Sequence, residues 1–152
     1  MLAFGAEPIY DNMTPADPPF TGPDAERQLG LAGGTALLRM RMLRLGEGAM
    51  LELFEMRGPD QRPPARPSDF GFQHVAIYVD DMAAACSRFT DAGGTLLTAP
   101  SPMLGAEKGE NNSFCYGRAP WGMMVELLTS PSPEAYEATT AARRWTPPRQ
   151  TP

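Results

Sequence analysis

The chain has 152 residues, of which 42% are hydrophobic and 20% charged, a composition typical of one soluble globular domain with a real core. Its net charge of −5 comes without any basic block, so neither nucleic acid nor an anionic membrane surface is expected as a partner. No apolar run is long enough to span a membrane, no signal peptide opens the chain, and Cys86 and Cys115 lack disulfide or zinc spacing, so we expect a cytoplasmic protein.

The first half of the chain predicts a loop, a short helix and a β-hairpin. The loop is the proline-rich stretch of residues 11–23, and helix-forming residues follow over 24–31. Alternating apolar residues then predict two strands, over residues 35–45 and 49–56. The glycine-containing turn between these strands makes them a hairpin.

The second half begins after a linker, because four prolines fall within residues 58–68. Residues 71–79 predict a strand that carries His74, the only histidine of the chain. One face of this strand is β-branched and would pack on helices, through Val75, Ile77 and Val79. His74 falls on the opposite face, and Asp81 offers an N-cap to a helix over residues 81–92.

Three further strands and a tail complete the chain. A short strand is predicted over residues 95–99, and a strand pair over 112–118 and 122–129. The tail predicts a helix over residues 133–144 that folds back, with Trp145 packed on the domain or on a second copy of the chain, because burying a Trp is worth about a few kcal/mol. The alternative is a mobile tail whose aromatic residue is incidental.

An internal repeat relates the two halves. Met-Leu-Glu-Leu-Phe at residues 50–54 matches Met-Val-Glu-Leu-Leu at residues 124–128, 74 positions later, and the strands before them match at the same offset. Each unit would be a strand, a helix and a three-strand meander. The predicted organisation is therefore a series of four segments: a first module at 1–57, a linker at 58–70, a second module at 71–130 and a tail at 131–152.

The first copy of the repeat is incomplete. The same offset puts the counterpart of the His74 strand at or before Met1. The first module is therefore predicted to lack its opening strand and part of its helix. Either the fold tolerates that loss, or the natural chain starts further upstream.

Three side chains of the repeat suggest a metal site. A glutamate in the middle of an apolar strand is costly, yet Glu52 and Glu126 occupy the same position in both copies. With His74 they supply one imidazole and two carboxylates, a set that binds Zn²⁺, Ni²⁺, Mn²⁺, Co²⁺ or Fe²⁺. The alternative is that each glutamate lies on a wet sheet face and that His74 is a hydrogen-bonded core histidine.

Two stretches of the chain resemble a known family. Phe-Gln-His-Val-Ala-Ile-Tyr-Val-Asp-Asp at residues 72–81 is similar to the opening strand of a module of the vicinal oxygen chelate superfamily, which includes glyoxalase I, methylmalonyl-CoA epimerase, extradiol dioxygenases and the bleomycin and fosfomycin resistance proteins. Residues 116–127 resemble the closing signature of that family, with Ala119 where Asp is usual. The scaffold hosts many chemistries, so the resemblance is more specific for fold than for function.

The resemblance implies an α+β fold in which two βαβββ modules form a cup-like mixed sheet. The metal ligands of the family lie on the opening and closing strands of each module. His74 and Glu126 match the two ligands of the second module, and Glu52 matches the closing-strand ligand of the first. The fourth ligand belongs to the missing opening strand. A single histidine argues against an extradiol dioxygenase, which needs two.

The resemblance implies a glyoxalase-like lyase, isomerase or epimerase. A divalent metal would bind two adjacent oxygens of a small substrate and stabilise an enediolate, while Glu52 or Glu126 moves a proton next to the carbonyl. The alternative is a metal-free protein of the same fold that binds a hydrophobic or aromatic compound, as the resistance proteins do. A homodimer is also expected, because a module that lacks a strand leaves a sheet edge unpaired.

Two arginines of the first hairpin are further candidates. Arg39 and Arg41 share a face of the predicted strand and would reach a carboxylate or phosphate within the cup. Solvation at the sheet edge is the alternative. Cys86 and Cys115 have no second histidine to activate them, so we expect structural thiols.

Overall fold

The computed structural model describes residues 3–147, and the chain divides into two compact units. The first unit is Gly5–Pro63, and the second begins at Pro64 and includes Ala3 and Phe4. Both contain strands and helix, which confirms the predicted α+β class. Among the described residues, no helix combines the length and the apolar character that crossing a membrane requires.

The first unit is a three-stranded antiparallel sheet with one helix. Its elements are β1 (Glu7–Met13), α1 (Pro23–Leu29), β2 (Ala36–Arg44) and β3 (Met50–Arg57). The strand order is β1-β2-β3, so β2 is central. The predicted helix and hairpin are both present. Helix α1 ends where Gly30 takes a left-handed conformation with φ 66°, which glycine adopts without strain.

Strand β1 was not predicted, because its last three residues were assigned to the loop over residues 11–23 and no element was predicted over residues 7–10. The strand is exposed along six of its seven residues, so it has no apolar alternation to reveal it. Pro8 lies within it, and the register shifts beside that residue, which is tolerated at a sheet edge. Two ion pairs attach β1 to β2: Arg44 bonds Glu7 at 2.6 Å, and Arg41 bonds Asp11 at 2.6 Å.

The second unit is a mixed sheet with one helix on a face. Its elements are β4 (His74–Tyr78), α2 (Met82–Asp91), β5 (Thr95–Leu96), β6 (Ser101–Pro102), β7 (Ser113–Arg118) and β8 (Met124–Thr129). The strand order is β4-β8-β7-β5, and β6 pairs with β7 as well. Strands β4 and β8 run parallel, whereas β7 and β8 form an antiparallel hairpin. This hairpin and the helix agree with the sequence prediction.

The core of the second unit lies between the sheet and α2. Val75, Ile77 and Val79 pack against the buried cluster, as their alternation on β4 predicts. The Asp81 side chain accepts a hydrogen bond of 2.9 Å from the Ala84 amide, which is the predicted N-cap of α2. Burial of this apolar face leaves the opposite face of β4, with His74, free to form a site.

Phe89 of α2 occupies the centre of this core. It is only 3% exposed, and its ring lies 6.0 Å from that of Phe4. Two glycines, Gly94 and Gly117, make room for it, since a Cβ on either would come within 2.6 Å of the ring. The absence of side chains at these positions therefore lets the helix approach the sheet closely.

The two hairpins have the same register. In the first unit, Met42 lies opposite Glu52, and in the second unit Tyr116 lies opposite Glu126. Six of the eight residue pairs of the first hairpin map onto the six pairs of the second when 74 is added to the residue numbers. The sheet edges differ, however. Strand β8 is covered by β4, whereas within residues 3–147 no strand covers the outer edge of β3.

The predicted helix over residues 133–144 is wrong. Only Ala135–Ala138 is helical, as one turn of 3-10 helix with a capping box between Glu134 and Glu137. The Thr139 hydroxyl then bonds the Tyr136 carbonyl, which competes with continuation of the helix. The rest of the described tail is irregular, and residues 148–152 of the predicted tail segment lie outside the described range.

The tail nevertheless packs on the second unit. The buried Asn112 side chain bonds the Ser132 backbone in both directions, each at 3.1 Å. Arg144 bonds Glu107 at 2.5 Å, and the Trp145 ring meets the edge of Tyr78 at a centroid distance of 6.4 Å. Trp145 remains 62% exposed. The tail therefore folds back, as expected, although its Trp contacts the unit without being buried in it.

Candidate functional site

Two of the three predicted metal ligands meet in the second unit. The Nε2 atom of His74 lies 3.5 Å from an Oε2 atom of Glu126. His74 begins β4, and Glu126 lies in the middle of β8, the strand that runs parallel beside it. Glu126 faces Ala76 across the two strands, and the small Ala76 side chain lets the imidazole and the carboxylate approach each other.

Side chains of β7, β8 and β4 form three rows on one face of the sheet. We call this surface the site face of the second unit. Its members are Arg118, Met124 and His74 in the first row, Tyr116, Glu126 and Ala76 in the second, and Phe114, Leu128 and Tyr78 in the third. The polarity changes along it, from a cationic end through the carboxylate to an aromatic end.

Tyr116 belongs to the site, although the sequence indicated it only as part of a signature. Its ring meets the His74 ring edge-on at 5.4 Å, and it lies directly opposite Glu126. Burial raises the pKa of Tyr116, and the negative charge of Glu126 raises it further. The phenol therefore keeps its proton well above neutral pH and can donate a hydrogen bond.

The carboxylate of the pair is better shielded than the imidazole. The Glu126 side chain is 16% exposed, and that of His74 is 36% exposed. Tyr116 covers one side of the pair, and Met124, which is buried, lies opposite His74 on β8. The histidine is therefore more accessible to a substrate from solvent than the carboxylate is.

Aromatic residues and the tail form the other end of the site face. Phe114 lies 5.8 Å from Tyr116, and Tyr78 contacts Trp145. Burial raises the pKa of Tyr78, and the nearby Arg144 partly offsets this. These rings can hold an apolar or flat part of a ligand beside Glu126.

Glu52 lies in the first unit, on β3, where it is exposed and opposite Met42. It occupies the strand position that Glu126 has in the second unit. His74 and Glu126 are one nitrogen and one oxygen donor facing each other, which suits two ligands of a Zn²⁺-like or Fe²⁺-like ion. No third His, Cys, Asp or Glu of the second unit joins them in the described part of the chain.

The other candidates have different roles. Arg41 is paired with Asp11, and the carboxyl pKa of Asp11 is lowered chiefly by that hydrogen bond. The Nε atom of Arg39 is buried without a hydrogen-bond partner in the described residues. Burial raises the pKa of Cys115 to about 11, with its neighbour Cys86 adding to the effect. Both thiols are free and buried, which suits a structural role.

Comparison with known families finds one whose model matches most of the chain. The model of the Glyoxalase/Bleomycin resistance protein/Dioxygenase superfamily matches residues 32–127. This range contains Glu52, His74 and Glu126. It also contains both hairpins and the helix α2.

Two curated relatives and one solved structure are similar to the chain. A 2-epi-5-epi-valiolone epimerase from Actinomyces sp. is 36% identical over 74% of this chain and 62% of that protein. A probable lactoylglutathione lyase from Synechocystis sp. is 29% identical over 57% of this chain and 60% of that protein. The chain thus spans about three fifths of each relative. A glyoxalase family protein from Bacillus cereus matches with a TM-score of 0.60, 21% identity, 84% of this chain and 79% of that one, which supports the fold.

Proposed function

Because the chain belongs to the Glyoxalase/Bleomycin resistance protein/Dioxygenase superfamily, we propose that it is a metal-dependent lyase, isomerase or epimerase for a small substrate with two adjacent oxygens. His74, Glu126 and Glu52 are the proposed metal ligands. The observation that carries the proposal is the approach of His74 to Glu126 at 3.5 Å on neighbouring parallel strands.

The similar proteins narrow the reaction type. Their names describe an epimerase and lactoylglutathione lyases. Both kinds of conversion are served by moving a proton at a carbon next to a carbonyl group, which a positioned carboxylate performs. The chain spans only about three fifths of the epimerase and of the Synechocystis protein, so substrate identity is part of the proposal and is tested below.

The residues of the site have different roles in the proposed reaction. His74, Glu126 and Glu52 would hold a divalent metal ion, which would supply positive charge for polarising the substrate. Glu126, or Glu52 as its repeat counterpart, takes the proton from the carbon and returns it. The Tyr116 phenol stays protonated and donates a hydrogen bond to a substrate oxygen near His74. Phe114 and Tyr78 exclude water from the aromatic end of the site face.

Metal binding is the direct test of this proposal. Protein prepared without chelator is expected to carry about one divalent ion per chain by elemental analysis, and EDTA is expected to lower its melting temperature, because an ion bound only to the folded state stabilises it. His74→Ala should abolish this EDTA effect. Protein that binds no added Zn²⁺, Ni²⁺, Mn²⁺, Co²⁺ or Fe²⁺ would refute the metal-dependent function.

The first unit favours one alternative, a metal-free protein that binds an apolar compound. Tyr10, Met42 and Glu52 form a row across its three strands, and the neighbouring Met50 and Phe54 are exposed. Methionines and aromatic rings adapt to flat ligands. A thermal-shift screen separates the two functions: stabilisation by planar organic compounds, without any response to metals, would favour binding alone.

We also propose that the protein is a homodimer. The outer edge of β3 has no strand beside it within residues 3–147, whereas the matching edge of β8 pairs with β4. An uncovered edge presents unpaired backbone groups that a second copy can bond. Light scattering at about 10 μM should therefore give the mass of two chains, and Leu53→Pro on β3 should shift it toward one. A single-chain mass for the unmodified protein would contradict the proposal.

A further inference from the structure

Arg118 lies in the same row of the site face as His74, but it has no role in the proposed reaction. It is the last residue of β7, opposite Met124 of β8, which in turn lies opposite His74 of β4. Arg118, Tyr116 and His74 therefore project from the same face of the sheet. With neighbouring strands about 4.8 Å apart, the Cα atoms of Arg118 and His74 are about 10 Å from each other.

The Arg118 guanidinium has no partner within the described part of the chain. It is half-buried, and it forms neither an ion pair nor a side-chain hydrogen bond there. Glu126, the nearest acidic residue by register, pairs with His74 instead. A guanidinium that loses part of its hydration without gaining a carboxylate is costly unless a ligand supplies the negative charge.

The repeat provides an internal comparison. Arg44 lies 74 residues before Arg118, at the end of β2, and is opposite Met50 just as Arg118 is opposite Met124. Arg44 has a carboxylate partner from its own unit, Glu7 at 2.6 Å. This hydrogen bond is the main cause of the raised pKa of Arg44. The two arginines of one repeat position thus differ in their surroundings: Arg44 is exposed and paired with Glu7, whereas Arg118 is half-buried and has no acidic partner within the described chain.

We propose that Arg118 binds an anionic group, a carboxylate or phosphate, of the substrate. The inference rests on the proposed function and adds the substrate class. The substrate then has adjacent oxygens at His74 and Glu126 and a negative group toward β7. An arginine side chain spans about 6 Å, so the anion lies within about two strand spacings of the reacting carbon. Its planar fork donates two hydrogen bonds to either kind of anion.

Three matched probes test the inference by nuclear magnetic resonance titration. Dihydroxyacetone, hydroxypyruvate and dihydroxyacetone phosphate share a hydroxyketone and differ in carrying no anion, a carboxylate or a phosphate. We expect at least one anionic probe to bind more tightly than dihydroxyacetone and to shift the Nε–Hε signal of Arg118. Arg118→Gln should weaken that probe about 10-fold to 100-fold and leave dihydroxyacetone unchanged. The two anionic probes distinguish a carboxylate site from a phosphate site.

Two further variants serve as controls. Arg44→Gln removes the matched arginine of the other repeat and should leave binding of all three probes unchanged. Arg118→Lys keeps the charge and should restore part of the lost affinity, which a folding defect would not do. Equal binding of charged and uncharged probes, or equal losses in Arg118→Gln and Arg44→Gln, would overturn the inference.

The outcome is separable from that of the proposed function. Anion binding through Arg118 in a protein that takes up no divalent metal would refute the metal-dependent reaction and keep the anion site. Metal binding at His74 and Glu126 with no preference for anionic probes would refute the anion site and keep the metal-dependent reaction. Failure of all three probes at concentrations of tens of millimolar would overturn the anion site, whereas uptake of a divalent metal decides the proposed function independently.

Discussion

Glu126→Gln is expected to lower the rate of substrate proton exchange by about 10²-fold to 10⁴-fold, because a carboxamide cannot accept a proton at neutral pH. The geometry also predicts weaker metal binding, since Glu126 faces His74 at 3.5 Å and an amide oxygen is a poorer ligand than a carboxylate. Deuterium uptake from solvent into dihydroxyacetone, hydroxypyruvate or dihydroxyacetone phosphate measures the exchange, because each carries hydrogens on a carbon next to a carbonyl group.

A second glutamate provides the control for this result. Glu110 is exposed in the same unit and lies outside the site face. Glu110→Gln should therefore exchange deuterium at the rate of the unmodified protein. Glu126→Gln with a normal melting temperature and undiminished exchange would remove Glu126 from the mechanism and would leave Glu52 as the candidate base.

Phe89→Ala is expected to destabilise the fold by about 3–5 kcal/mol, the usual cost of removing a fully buried aromatic ring. Phe89 is 3% exposed, contacts Phe4 and fills the space that Gly94 and Gly117 leave open. The change would leave a cavity that the glycines cannot fill. Since domains are stable by about 5–15 kcal/mol, this loss brings the protein close to unfolding at room temperature.

Urea denaturation followed by circular dichroism measures the loss. Phe72→Ala is the matched control, since Phe72 is 78% exposed and its removal should change the free energy of unfolding by less than about 0.5 kcal/mol. Equal losses for the two variants would show that the core is centred elsewhere.

The elements with a buried and an exposed face were predictable from the sequence. Residues such as Val75 and Ile77 alternate with the His74 face of β4, and Asp81 marks the start of α2. Strand β1 could not be predicted because it is exposed almost throughout, so no alternation of apolar and polar residues distinguishes it from a loop. Its position depends instead on ion pairs with β2. The tail was assigned to a helix because its composition favours one, but its side chains bond the backbone and the second unit.

The candidate site was only partly predictable, for a similar reason. The repeat and the resemblance single out Glu52, His74 and Glu126, and the structure brings the latter two together. Tyr116 and Arg118 join the site through the register of β7 with β8, which cannot be read from the residues of either strand alone. The hairpin turn sets that register, so aligning the two repeats would have placed both residues beside Glu126.

The parallel pairing of β4 with β8 also bears on the order in which the strands are expected to pair during folding. Each pair of this ladder joins residues 50 positions apart, whereas the β2–β3 and β7–β8 hairpins close over short turns. Closing a long loop costs more chain entropy, so the hairpins form early and the parallel ladder late. We therefore expect His74 and Glu126 to come together late in the folding of the second unit. A partly folded chain has its strands but lacks its pair of donors, so uptake of an ion would report completed folding of the second unit.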